Sequence, residues 1–300
     1  MNVPPDHRRA PGLSRRALLL AGFGALVSGG PASLLAAPDS PVGPAPRHLI
    51  TIGDPAGDGQ LILADHCLHR PCPLVIVSHC LGKAPMEQLR FRAYEGVFEP
   101  LVDHGFALLL SSDAGTDTYG NDAALAYIQR VFQQARQAFH WDGRVYTLGV
   151  SMGGLPALLT AYRQTLGQPV QATALIAGVT HLQHIHQGPP ARTARVEQAY
   201  RGSFPSAAAG HDPVGDFQHF AGRRTPLLVV ASGDDSVIPV DRHGARLLAL
   251  ARNAGADARL LKVDGAHIGP GHFTPRVART IIEFYQNHRH RGEDPSTAVL

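Results

Sequence analysis

The chain has 300 residues, of which 44% are hydrophobic, 17% are charged and three are cysteines. This composition excludes a disordered protein and a disulfide scaffold, and the length allows one large core or at most two small domains. The formal charge of +3 lies in residues 1–37, because the rest of the chain holds 23 basic and 23 acidic residues, so we do not expect nucleic-acid binding.

Residues 1–37 have the layout of a signal peptide. A polar start ends at Arg15 and Arg16, an apolar run follows over residues 17–27, and small residues lead to Ala37. The apolar run is shorter than the ~20 residues that span a bilayer, and paired arginines before apolar residues resemble the twin-arginine export signal. We expect the export machinery as a partner and a periplasmic or secreted mature protein without a membrane span. A disordered basic tail, a retained anchor and the general secretory route are the alternatives.

The rest of the chain alternates between apolar, strand-like runs and helical stretches. A Pro-rich linker over residues 38–46 precedes a folded domain over residues 47–287, and a polar tail covers residues 288–300. Continuous apolar runs such as Leu74–Val77 are typical of strands buried on both faces, so we predict an α/β protein whose mostly parallel sheet has helices on both faces. The predicted strands cover residues 47–52, 60–65, 74–77, 106–110, 145–150, 172–177, 227–231 and 259–263, and the predicted helices cover residues 85–104, 122–139, 152–166, 242–254 and 275–287.

The interval from residue 180 to residue 222 breaks this alternation. A structureless loop of about 40 residues is uncommon inside a compact domain unless it is functional, so we expect a small helical cap inserted there. His181, His184 and His186 lie in this interval, but no carboxylate or cysteine accompanies them at ligand spacing. We interpret them as polar cap residues and expect neither a metal nor a cofactor.

The motif that indicates chemistry lies at residues 149–153, where the sequence reads Gly-Val-Ser-Met-Gly. It follows a predicted strand and opens a predicted helix, which is the context of a nucleophile elbow. The sharp turn exposes the Ser151 hydroxyl at the carboxyl edge of the sheet, and the Met152 N–H at the helix start can bind an oxyanion. An ordinary glycine-rich turn is the alternative.

A nucleophilic serine needs a base, and the base needs an orienting acid. Both residue types follow Ser151 in the order typical of this elbow, each after a predicted strand. Asp234 and Asp235 are the candidate acids. His267 is the preferred base because it follows the last predicted strand closely; His272 is the alternative base, or else it lines the pocket or caps the last helix.

With these motifs the sequence resembles the α/β-hydrolase superfamily over about residues 47–287, in particular its dienelactone-hydrolase-like and esterase-like members. The sequence Asp-Ser-Val-Ile-Pro at residues 235–239 matches the acid loop of that family, which favours Asp235 over Asp234. Gly-Ala-His at residues 265–267 resembles its Gly-x-His loop. The resemblance therefore implies an α/β-hydrolase fold with a triad of serine, histidine and aspartate.

The resemblance also implies an oxyanion loop at residues 78–82, where the sequence reads Ser-His-Cys-Leu-Gly. His79 stands at the histidine of the family's His-Gly pair, and the Leu81 N–H corresponds to the second oxyanion donor. Cys80 departs from the pattern, since the family usually has glycine there. His79 and Cys80 are candidate pocket residues.

Taken together, these motifs predict an exported serine hydrolase that cleaves a carboxylic ester or related acyl bond of a small molecule. Ser151, His267 and Asp235 would be catalytic, and Met152 and Leu81 would bind the oxyanion. A peptidase or thioesterase of the same fold, or a non-catalytic binding protein with this fold, is the alternative.

The cysteines support a further prediction. Cys67 and Cys72 flank a four-residue connection between two predicted strands, and such a connection can bring two Cα atoms within the ~4.4–6.8 Å of a disulfide. An oxidising compartment preserves such a bond, and Cys80 would then be the odd thiol. Three small buried side chains without a bond are the alternative.

Overall fold

The computed structural model describes residues 47–53, 58–83, 94–202, 204 and 206–289. The proposed signal peptide, the linker and the tail from residue 290 onward lie outside these residues. In the described part of the chain, no helix is both long enough and apolar enough to cross a membrane.

Eight strands form a single sheet, in chain order β1 (Arg47–Ile52), β2 (Gly59–Ala64), β3 (Cys72–Ser78), β4 (Ala107–Ser111), β5 (Trp141–Val150), β6 (Thr173–Ile176), β7 (Leu227–Ser232) and β8 (Ala258–Val263). Their spatial order is β1-β2-β4-β3-β5-β6-β7-β8. Only β1 with β2 and β2 with β4 pair antiparallel; the other neighbours are parallel. The predicted fold class, a mostly parallel sheet, is confirmed.

Seven α-helices are described, in chain order α1 (Glu99–Asp103), α2 (Asp122–Ala135), α3 (Gly154–Tyr162), α4 (Leu182–His186), α5 (Pro190–Ala199), α6 (Gly244–Asn253) and α7 (Pro275–Asn287). Side-chain caps begin two of them, since Asn121 accepts from Ala124 N–H before α2 and Thr274 accepts from Val277 N–H before α7. A single π-helical turn, Tyr94–Phe98, precedes α1.

Two predicted helices end several residues earlier in the structure, and β5 begins earlier than predicted. The helix predicted over residues 122–139 ends at Ala135, and the one predicted over residues 152–166 ends at Tyr162. β5 begins at Trp141 rather than at Val145, because the Trp141 backbone pairs with Cys72 of β3. The first part of the helix predicted over residues 85–104 lies outside the described residues.

The sheet separates two apolar cores, as expected when helices cover both faces of parallel strands. On one face, α2, α3 and α6 bury Ile128, Leu158 and Leu247. On the other face, α1 and α7 bury Leu101 and Ile281. The parallel strands between these layers have their carboxyl ends at a single edge of the sheet, which is where the candidate functional groups lie.

The segment between β6 and β7, residues 180–222, is called the helical segment below. It contains α4, α5 and two 3₁₀ turns, Ser206–Ala208 and Phe217–His219, and its described residues include no strand. Asn121 Nδ2 donates to Ala199 O at 2.9 Å, so α5 is held against the start of α2.

Cys67 and Cys72 form a disulfide with their Cα atoms 5.5 Å apart, which confirms the predicted pairing. Cys80 is buried and lies outside this bond. His66 brings a ring nitrogen within 4.8 Å of both bonded sulfurs. Sulfurs that are bonded to each other are not thiolates, so this cluster does not have the donors of a zinc site.

Candidate active site

Ser151 lies at the tip of β5, where the chain turns into α3. Its φ of +53° is in the left-handed region, which strains a non-glycine residue. The turn is tight because a Cβ at Gly153 would lie 2.2 Å from Ser78 O, and a Cβ at Gly149 would lie 2.4 Å from Gly153 O. Only glycine fits at these two positions, so backbone contact brings the Ser151 turn against the end of β3.

The structure brings Ser151, His267 and Asp235 together. Ser151 Oγ lies 2.8 Å from His267 Nε2, and His267 Nδ1 lies 2.7 Å from Asp235 Oδ2. They meet because β5, β7 and β8 are parallel, so the segments after their carboxyl ends share one edge of the sheet. Ser151 is 8% exposed and Asp235 is 4% exposed, so this hydrogen-bonded line is largely shielded from water.

Hydrogen bonds hold the Asp235 carboxylate on both oxygens. Its Oδ1 accepts from Val237 N–H at 2.9 Å and from Ile238 N–H at 2.8 Å. Burial by itself would raise the pKa of Asp235, but the hydrogen bonds from His267 and from these two backbone groups outweigh it and hold that pKa below its usual value. Asp235 is therefore ionised at neutral pH.

Neither alternative residue takes part in this line. Asp234 is exposed, and its Oδ2 accepts from Gly265 N–H at 3.2 Å. His272 is fully buried in the 3₁₀ turn Pro270–His272, and neither ring nitrogen has a hydrogen-bond partner among the described residues. Burial lowers the pKa of His272.

Leu81 and Met152 line the same cavity as Ser151. Met152 lies in the first helical turn after β5, where N–H groups have no intrahelical acceptor. Within the described part of the chain, the Leu81 N–H donates no hydrogen bond. Both backbone donors are therefore available to a ligand beside Ser151.

His79 lies behind this loop and does not line the cavity, whereas Cys80 does. His79 is fully buried, with Nδ1 2.8 Å from Cys80 O and Nε2 3.0 Å from Ser112 O and 3.1 Å from Gly115 O. Each of these three contacts joins a ring nitrogen to a backbone carbonyl oxygen, which can only accept. His79 thus ties the loop at residues 78–82 to the turn after β4.

The cavity beside Ser151 has a volume of about 230 Å³ and mostly apolar walls. Ile185 and Arg192 enter it from the helical segment, and Lys83 enters it from the end of the oxyanion loop. Sequence reasoning missed Lys83 and Arg192. One signal was present, because Lys83 is one of only two lysines in the chain.

The histidines of the helical segment do not converge on one point. His184 Nδ1 lies 3.1 Å from Nε2 of His243, whereas His186 pairs with Glu197 at 3.2 Å. His243 is fully buried and was not predicted from the sequence. Burial, together with the nearby His184 and His181, lowers the pKa of His243 to about 3.

No protein-family model matches the sequence, and a comparison with curated proteins gives no match either. Solved structures do match. A fluorophosphonate-binding serine hydrolase of Staphylococcus aureus is 15% identical with a TM-score of 0.62, and the match covers 81% of this chain and 99% of that one. S-formylglutathione hydrolase of the same organism is 14% identical with a TM-score of 0.61, covering 80% and 100%. A truncated carbohydrate esterase from gut microbiota is 16% identical with a TM-score of 0.59, covering 83% and 99%.

These similarities extend over most of the described chain and over nearly the whole of each matched structure. At such identities they establish architecture and not activity. The eight-stranded, mostly parallel sheet and its helices follow the same plan as those structures. The chain has the α/β-hydrolase fold.

Proposed function

We propose that this chain is a serine hydrolase that cleaves carboxylic esters of small molecules. The observation that carries the proposal is the hydrogen-bonded line from Ser151 Oγ through His267 to Asp235. A serine hydroxyl becomes a nucleophile when a base accepts its proton and an ionised acid orients that base. The names of the matched structures, which include serine hydrolases and esterases, support the same reaction class.

The proposed reaction has two halves. Ser151 Oγ attacks the carbonyl carbon while its proton moves to His267 Nε2, and the oxyanion accepts hydrogen bonds from the N–H groups of Leu81 and Met152. His267 then returns the proton to the departing alcohol oxygen, which leaves an acyl group on Ser151. A water molecule then attacks the acyl carbonyl in the same way, with His267 accepting its proton, and the carboxylic acid is released from Ser151. Asp235 accepts the Nδ1–H of His267 throughout, which keeps Nε2 free to take the first proton.

The helical segment acts in this proposal as a cap over the substrate. Ile185 and Arg192 line the cavity from α4 and α5, so the cap contributes to the shape of the pocket. Met152, Val179 and Ile238 add apolar surface next to Ser151. Such walls suit the hydrocarbon part of an ester.

The test is labelling with a fluorophosphonate probe together with 4-nitrophenyl ester turnover. The wild-type chain should be labelled and active, and Ser151→Ala should be unlabelled with kcat lower by ~10⁴-fold or more. Ser236→Ala, an exposed serine in the acid loop, is the matched control and should keep both properties. Near-normal turnover by folded Ser151→Ala would contradict the nucleophile assignment, and a folded, inert wild type would favour a binding protein.

We also propose that the chain is exported, with residues 1–37 as its signal peptide. The charged, apolar and small regions of that segment support this, and so does the Cys67–Cys72 disulfide, since such bonds persist in oxidising compartments. The mature protein from the native host should begin between about residues 37 and 40, as read by N-terminal sequencing. Arg15→Lys with Arg16→Lys should retain the precursor in the cytoplasm. Continued export of that variant would indicate the general secretory route, and an uncleaved cytoplasmic wild type would contradict export.

A further inference from the structure

The apolar cavity beside Ser151 also contains two cationic side chains. Lys83 comes from the turn that closes the oxyanion loop, where its N–H donates to Cys80 O at 3.2 Å. Arg192 comes from α5 in the helical segment. Among the described residues, no aspartate or glutamate lines this cavity. Positive charge therefore enters the cavity from two separate elements, and the described part of the lining holds no acidic residue.

Arg192 is held in place without being neutralised. Its Nη1 donates to Val237 O at 3.2 Å, which attaches the guanidinium to the acid loop. A guanidinium has five N–H donors, so this bond leaves most of them available. Within the described residues, neither Arg192 nor Lys83 has a carboxylate oxygen within 4.0 Å.

Arg195, one turn further along α5, differs from Arg192 in its charge pairing and in its position. Its Nη1 lies 3.1 Å from Asp117 Oδ2, so this arginine has an acidic partner. It also lies outside the cavity lining. Lys262, the other lysine of the chain, is exposed on β8. Each cavity cation therefore has a counterpart of the same type that does not face the cavity.

Lys83 and Arg192 are half-buried beside an apolar wall, so each cation has lost part of its hydration. No carboxylate among the described residues compensates for that loss. A bound anion replaces the lost hydration with charge-assisted hydrogen bonds, and an arginine fork fits a carboxylate in particular. The apolar walls suit a hydrocarbon chain between that anion and the ester carbonyl. These features describe a substrate with one charged end.

We infer that the cavity selects esters that carry a carboxylate, which Lys83 and Arg192 bind while Ser151 attacks the ester carbonyl. This inference rests on the proposed hydrolase function. It states which esters are preferred, and it places Lys83 and Arg192 as specificity residues rather than catalytic ones. The preference should weaken as salt is added, because both cations are partly open to solvent.

The test compares kcat/KM within two pairs of esters, each pair consisting of an anionic carboxylate and its neutral methyl ester. The first pair places the carboxylate on the acyl side: mono-4-nitrophenyl adipate against 4-nitrophenyl methyl adipate. The second pair places it on the alcohol side: 4-acetoxybenzoate against methyl 4-acetoxybenzoate. The wild type should favour the anionic member of at least one pair by roughly 10- to 100-fold, the range of one or two hydrogen bonds to charged groups.

The variant Lys83→Met with Arg192→Met should abolish that preference, and each single change should reduce it. Arg195→Met and Lys262→Met are the matched controls and should keep the wild-type ratio. A wild type that favours the neutral member of both pairs would overturn the inference, as would a double variant that keeps the ratio or controls that lose it equally. Fluorophosphonate labelling with neutral-ester turnover but no anionic preference would contradict this inference alone. No labelling and no turnover of any of the four esters would contradict the hydrolase proposal as well.

Discussion

His267 Nδ1 lies 2.7 Å from Asp235 Oδ2, while the adjacent Asp234 directs its carboxylate to the Gly265 N–H. The two neighbouring aspartates therefore have different contacts: Asp235 contacts His267, and Asp234 holds the loop that carries His267. Asp235 is buried and ionised, whereas Asp234 is exposed to solvent.

If the proposed function holds, Asp235→Asn should lower kcat on 4-nitrophenyl acetate by ~10⁴-fold, by analogy with the triad of serine hydrolases, because an amide N–H facing His267 favours the wrong tautomer. Asp234→Asn should change kcat little, since that side chain makes only a loop contact. Steady-state kinetics at pH 8 distinguish the two variants. A larger loss in Asp234→Asn than in Asp235→Asn would show that the acid has been assigned to the wrong residue.

His267→Ala should reduce kcat as much as Ser151→Ala does, because members of a triad act as a unit. His272→Ala should affect turnover far less. It removes a fully buried ring and should lower the free energy of unfolding by about 1–3 kcal/mol through the cavity it leaves. Turnover and urea unfolding of the same two preparations test both effects, and the reverse ranking in kcat would place the base at His272.

Ser151→Gly should be more stable than Ser151→Ala by about 1 kcal/mol, although both variants lack the nucleophile. Residue 151 has a φ of +53°, which glycine adopts without the steric cost that a Cβ brings. Urea unfolding at pH 7 measures the difference. An alanine variant as stable as the glycine variant would show that the turn stores no strain at this residue.

The unfolding free energy should fall as the pH is lowered from 6.5 towards 4. Burial lowers the pKa of His243 to about 3 and also lowers that of His272, whereas both titrate near 6.5 when unfolded. Between pH 6.5 and 4 the unfolded state binds more protons than the folded state. Each of these histidines therefore lowers the free energy of unfolding by up to about 1.4 kcal/mol per pH unit, and the full stability is present only above pH 6.5. Asp235 contributes at lower pH. Because its pKa is below the usual value, it adds stability that is lost only as the pH falls below about 4.

Urea midpoints at pH 7.5, 6 and 5 measure this dependence. His243→Gln should make it shallower, because the variant removes one buried group that takes up a proton on unfolding. His69→Gln, at an exposed histidine, is the control and should keep the wild-type slope. An unchanged slope in His243→Gln would show that His243 does not contribute.

Local sequence patterns were sufficient for the sheet and for two residues of the hydrogen-bonded line, Ser151 and His267. Apolar runs identified the buried strands, because a parallel strand covered on both faces has no polar face to interrupt the run. Ser151 and His267 each follow one of the parallel strands closely, so their meeting at one edge follows from topology. The choice of Asp235 over Asp234 needed the resemblance to a known acid loop.

The sequence patterns could not predict contacts between residues that lie far apart in the chain. Arg192 lies more than 100 residues from Lys83, and only the path of the helical segment brings both to one cavity. The same holds for His184 and His243, which pair across two elements. The early start of β5 at Trp141 was missed because Asp142, Gly143 and Arg144 are typical of a turn, although the strand's pairing with β3 begins before them.

The contact of Gly153 with the end of β3 has a consequence for engineering this chain. A Cβ at Gly153 would lie 2.2 Å from Ser78 O, so the backbones of Gly153 and Ser78 are already in van der Waals contact. Such a limit does not depend on side-chain volume, and substitutions in the surrounding cores should move this turn little. The described residues of the helical segment that line the cavity are Ile185 and Arg192. Libraries aimed at new substrates therefore belong in residues 180–222, where pocket shape can vary while the catalytic spacing is preserved.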